Sequence, residues 1–271
     1  MLLMPFLLAL VATPTGKPTP PVAADVPTVE QRIAQASGIG SMLYAYDRAA
    51  WVSSDALTAA IPKEQLAALG GYVVEPVEPH ILRVTYYRGA VADAQAFFIA
   101  DVRDGKVIRQ DVLANPIPLT AAQTMLARAR DVAAQHAQAR AYKPCTPLPF
   151  NTVVLPSRGA RPVAVYLLSA QQDADTYPVG GHYRVIVGPD DKALGSRPYS
   201  VSCLNMARPT LPAGATPVGV MVNHLLDPAP TEIHVFTSYA MRMPLFVSTR
   251  NARVWKVEDA KITPFAPKGT Q

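Results

Sequence analysis

Prolines constrain this chain more than any other residue type. The 271 residues contain 27 of them, unevenly spread. Proline has no backbone N–H and a fixed φ, so it is kept out of helix interiors and central strands. Residues 25–142 hold six prolines and residues 143–271 hold sixteen. The first stretch has room for long helices, and the second is confined to short elements between turns. A boundary is expected within residues 141–150. The expected organisation is a removable leader over residues 1–24, an α+β part over 25–142 and a β-rich part over 143–271.

In the first part, residues 28–60 read as a helical stretch capped by Thr28, with Gly38 and Gly40 placed to break it. Strand-like runs follow at 72–74, 81–87, 94–102 and 107–113. Asp104-Gly105 between the last two is a strong short-hairpin signal. Thr120 and Gln123 have the spacing of a capping box. Ala122, Met125, Leu126, Ala129, Val132 and Ala133 recur at helical spacing, while Arg128, Arg130, Asp131 and Gln135 face out. This part reads as an antiparallel sheet with helices on one side. The second part offers runs at 152–155, 163–168, 183–187, 199–203, 218–225, 232–238, 245–249 and 254–257. Turn signals such as Gly188-Pro189-Asp190-Asp191 separate them. Short strands at such spacing predict a sandwich-like or open-barrel arrangement. The fold class expected for the whole chain is α+β.

Residues 2–12 are apolar, too short to span a bilayer and of the length of a secretory signal. Val22-Ala23-Ala24 supplies a small-residue cleavage point before Asp25. Pro5 and the proline-rich stretch behind it argue against a buried N-terminal helix. A periplasmic or secreted location follows, and the pair Cys145 and Cys203 then reads as a disulfide rather than as a Cys145 thiol nucleophile with a downstream histidine or as two idle thiols. Closing so long a loop stabilises a fold by ~4 kcal/mol in the chain-entropy treatment.

Hydrophobic residues make up 49% of the chain and charged residues 17%, which excludes global disorder. Without the leader, 24 cationic face 20 acidic side chains, a net of +4. The cations are scattered apart from a loose group at Arg242, Arg250, Arg253, Lys256, Lys261 and Lys268, which Glu258 and Asp259 interrupt. This is not the dense basic stripe of a nucleic-acid binder, and the group reads as solvated surface.

Dinucleotide-binding, P-loop, zincin and nucleophile-elbow motifs are all absent from the sequence. His80 reads as a surface residue and His136 as a packing residue near a helix end. His182, behind Gly180-Gly181, opens a strand. The densest set of titratable groups is His224, Asp227, Glu232 and His234, and such side chains suit zinc or acid–base chemistry. If residues 218–225 and 232–238 pair as a hairpin, the shorter loop sends the two histidines to opposite faces and the longer one sets them opposite each other. The shorter loop is the expectation, so no catalytic centre, metal or cofactor is assigned. Tyr44, Tyr46 and Trp51, with Tyr86, Tyr87, Phe97 and Phe98, read as core packing.

The function expected is a non-catalytic, exported binding or envelope-associated module whose partner is an envelope protein or a small ligand. The alternative is an exported hydrolase using His182, His224, Asp227, Glu232 and His234. A small-ligand carrier requires an apolar pocket lined from both parts.

Overall fold

The computed structural model describes residues 26–157, 162–208, 210–212, 214–215 and 217–266. The expected leader and its cleavage point lie outside the described residues. The fold is α+β.

The chain starts with α1 (Val29–Ala60), a helix of 32 residues and therefore about 48 Å long. Thr28 caps it as a full capping box: the Gln31 N–H donates to Thr28 Oγ1 at 3.2 Å and the Thr28 N–H to Gln31 Oε1 at 2.8 Å. A short turn, α2 (Lys63–Leu66), leads to the meander β1 (Leu69–Glu78), β2 (Ile81–Arg88), β3 (Gln95–Arg103) and β4 (Lys106–Pro118). Asp104 and Gly105 turn the β3–β4 hairpin with φ of 50° and 69°, the left-handed pair that matches strand twist. Helix α3 (Ala121–Ala139) follows, with its own capping box between Thr120 and Gln123.

After residue 150 come β5 (Asn151–Leu155), β6 (Val163–Leu168), β7 (Thr176–Pro178), β8 (Tyr183–Val187), β9 (Ala193–Pro198), β10 (Asn205–Ala207), β11 (Val220–His224), α4 (Glu232–Met241), β12 (Leu245–Thr249), β13 (Val254–Glu258) and β14 (Lys261–Pro264). They form antiparallel β5-β6-β8-β9, the small pair β10-β7, and β11-β12-β13-β14, in which β11 and β12 run parallel. Among the described residues no sheet closes into a barrel.

Three sequence expectations are corrected. Gly38 and Gly40 do not break α1. Residues 199–203 form no strand; β9 takes the preceding residues, and 199–203 lead irregularly to Cys203. Residues 232–238 are helical. The β-branched and aromatic content of Glu-Ile-His-Val-Phe-Thr suggests a strand, but the segment is packed on nearly every side, and a buried helix tolerates apolar residues all round. Ile233, Val235, Thr237, Ser238 and Met241 are all buried.

Gly40 explains why α1 continues. A Cβ there would lie 2.4 Å from Val235 Cβ and 2.6 Å from the Glu232 carbonyl oxygen, so the glycine lets α1 and α4 cross at backbone contact. At Gly38 a Cβ would meet nothing within 4 Å. Chemical denaturation is expected to show Gly40→Ala destabilised by roughly 2–3 kcal/mol through overpacking. Gly38→Ala is expected to gain up to ~1 kcal/mol of helix propensity. Equal effects at the two glycines would refute the close-crossing account.

The main core joins Leu43, Leu57, Val84, Tyr86 and Phe98 to Tyr166 and Ile233. A second cluster sets α3 between Val73 and Tyr87 of the meander and Val165 and Val185 of the β5–β9 sheet. Both therefore cross residues 141–150. Cys145 and Cys203 are joined in a disulfide with Cα atoms 5.3 Å apart. It pins the segment before β5 to the segment before β10.

Candidate functional site

The predicted site residues occupy neighbouring positions, though not as a hairpin. His224 ends β11, the chain turns through Asp227 and two prolines, and Thr231 caps α4. Glu232 and His234 thus lie in the first helical turn. The expectation that His224 and His234 face opposite ways is overturned. No hairpin register applies, and their rings meet edge to face with centroids 4.6 Å apart.

His234 Nδ1 accepts the Thr231 N–H at 2.9 Å, which leaves the ring proton on Nε2. Burial, reinforced by the neighbouring His224, pushes its pKa well down. His182, expected to open a strand behind a glycine pair, immediately precedes β8 and is fully buried. Its Nδ1 accepts the Ser169 N–H at 3.2 Å and its Nε2–H donates to the Pro178 carbonyl at 3.1 Å. Burial lowers its pKa to about 4, against the Pro178 hydrogen bond. The His182 ring is a neutral bridge between two backbone segments, and the His234 ring closes the first turn of α4 onto Thr231.

The carboxylates are equally committed. Asp227 takes Arg197 Nη1 at 3.2 Å and Nη2 at 2.5 Å, and His224 Nε2 at 2.8 Å. Burial would raise its pKa, but the His224 and Arg197 hydrogen bonds prevail and hold it well below the usual carboxylate range. Glu232 Oε1 accepts from Tyr166 Oη at 2.9 Å, from Arg184 Nη1 at 3.2 Å and from Tyr199 Oη. Burial and the Glu232 charge drive both phenols' pKa values upward. The cluster ties β8, β9, β11 and α4 together. Among the described residues no three His, Cys, Asp or Glu side chains are placed to hold a metal ion.

A different feature has the form of a ligand site. A cleft of about 300 Å³ opens between α1, the end of β6, β7 and α4. Tyr44, Asp47, Arg48 and Trp51 line it from α1 at the i, i+3, i+4, i+7 spacing of one helix face. Leu168, Tyr177 and Phe236 form apolar walls, and Arg208 and Arg242 join from the other side. Trp51 is 49% exposed, so the expectation that it packs in the core is corrected; Tyr46, Tyr86, Tyr87, Phe97 and Phe98 are buried as expected. Tyr44 stacks on Tyr239 of α4 with centroids 4.9 Å apart, which fixes it as a wall. Burial raises the Asp47 carboxyl to about 6, against a hydrogen bond from Asn151 and the Arg48 charge. Arg242, taken from sequence as solvated surface, sits left-handed at the C-terminus of α4 and lines the cleft.

The sequence did carry a signal for the cleft. Four polar or amphipathic residues at helical spacing marked a face of α1 unsuited to a dry core. Its opposite wall depended on α4, which reads locally as a strand.

No family model, curated protein or solved structure matches this chain.

Proposed function

We propose that the protein is a non-catalytic binding module, acting outside the cytoplasm, that takes a small ligand into the cleft beside α1. The observation that carries this reading is the cleft itself: apolar walls, a few convergent polar groups, and contributions from both sides of residues 141–150, as small-molecule sites combine them. The leader-like N-terminus and the Cys145–Cys203 bridge support an oxidising location. Among the described residues no helix is long and apolar enough to cross a membrane. The histidine cluster favours stability over hydrolysis, because the basic nitrogen of His234 and both ring nitrogens of His182 are already spent on backbone partners.

Trp51 and Trp255 are the only tryptophans, and Trp255 is 2% exposed, so their indole N–H resonances separate cleft from core. A small-molecule fragment screen by NMR is expected to move the Trp51 signal and leave Trp255 in place. Ala240→Phe, which puts a ring into the cleft, is expected to abolish those shifts. A screen with no fragment acting at Trp51 would refute the reading.

A further inference from the structure

We propose that the cleft selects small aromatic anions, an aryl carboxylate being the simplest, with the charged head held at Arg48 and Arg242 and the ring between the aromatic walls. The proposal rests on the binding reading above and specifies its ligand class.

The charge balance is the first argument. Three guanidinium groups, Arg48, Arg208 and Arg242, line the cleft against the single carboxylate of Asp47. Arg208 is engaged, donating to Tyr177 Oη at 2.6 Å and lying 3.5 Å from Asp175. Among the described residues neither Arg48 nor Arg242 has a carboxylate within 4.0 Å. Arg48 lies over the Trp51 ring at 5.8 Å and feels the Asp47 charge from outside salt-bridge distance, so both guanidinium groups keep donors for a ligand, and their geometry suits a carboxylate.

Position is the second argument. A wider groove of about 550 Å³ runs along the other side of α1, and Tyr44, Arg48 and Arg242 line both cavities. The two arginines therefore stand at the divide, where a charged head keeps contact with water while its body enters the smaller cleft. That cleft has the volume of about ten waters at ~30 Å³ each, room for one ring and its acid group. Trp51, Tyr44 and Phe236 supply aromatic surface for a flat ring, while Tyr177, buried beneath Arg208, closes the wall behind. Aromatic walls with one carboxylate also suit an organic cation, but the arginine excess opposes it.

The test compares three probes by titration on the Trp51 indole signal: 4-hydroxybenzoate, its neutral amide, and trimethylphenylammonium. The acid is expected to bind roughly tenfold tighter than the amide, the gain from charge-assisted hydrogen bonds, and the cation weakest. Arg48→Gln combined with Arg242→Asn, the latter because asparagine accepts the left-handed backbone, is expected to erase the acid's advantage, so that acid and amide bind with equal affinity. The single Arg242→Asn variant is expected to remove part of that advantage. Amide or cation binding as tightly as the acid would overturn the ligand class and leave the binding reading standing. Silence from all three probes, together with a silent fragment screen, would overturn both.

Discussion

Between pH 6.5 and pH 4 the parent protein is expected to lose about 3 kcal/mol more stability than the His182→Gln variant. An unfolded histidine titrates near 6.5, and folded His182 titrates at about 4 because burial disfavours its charged form. In the window between, the unfolded chain binds a proton that the folded one refuses. The contribution is therefore complete above pH 6.5 and drains away as pH falls. The gap is roughly 2.5 pH units at ~1.4 kcal/mol each. Glutamine keeps an acceptor and a donor without titrating. His234 acts in the same direction, its pKa also being depressed by burial. Asp47 acts in the opposite direction: its folded pKa is raised, so it favours the folded state as pH falls from about 6. Because Asp47 is common to parent and variant, the difference between them isolates His182. Asp227, with its pKa depressed, contributes stability that is lost only in more acid solution. Urea midpoints at pH 7.5, 5.5 and 4 provide the measurement; parallel curves for parent and variant would show that His182 takes up its proton equally in the folded and unfolded states.

The second large effect belongs to Glu232. Its carboxylate answers Tyr166, Tyr199 and Arg184 at once. Arg184 Nε already has no hydrogen-bond partner among the described residues. Glu232→Ala is expected to cost about 3 kcal/mol or more, because removing one partner strands the other's charge in a largely buried place. Glu232→Gln keeps the shape and an acceptor, and is expected to cost ~1–2 kcal/mol. Replacing Arg184 by methionine in the Glu232→Gln background is expected to recover part of the loss, since an apolar substitute for both charges removes the unpaired group. Denaturant midpoints at constant slope measure these differences. A loss below ~1 kcal/mol for Glu232→Ala would mean that water reaches and compensates the arginine.

What the sequence revealed follows from how local each signal is. Thr28 and Thr120 announce their helices because a capping box is complete within four residues. Asp104-Gly105 announces its hairpin for the same reason. The disulfide is legible from a leader-like N-terminal run and an even cysteine count. Helix α4 was not. Its ten residues are β-branched and aromatic enough to suggest a strand, and only contacts with α1 and the β11–β14 sheet make the helix the better solution. The errors about the two histidines and the far wall of the cleft descend from that one. With α4 taken as a strand, His224 and His234 were assigned to a hairpin that does not exist, and the cleft lost its far wall. Trp51 looked like core because an isolated aromatic gives no sign of whether anything covers it.

The crossing at Gly40 also sets a timetable. Its partner Val235 lies about 195 residues further along the chain. At a synthesis rate of roughly 5–20 residues per second, that separation amounts to about 10–40 s. Throughout that interval α1 has its cap and its length but not the surface its glycine face was shaped to meet. Contacts of such separation are closed late and slowly. Helix α1 can settle early on β2 and β3 through Leu43 and Leu57, yet its glycine face is seated only once the C-terminal third of the chain has emerged.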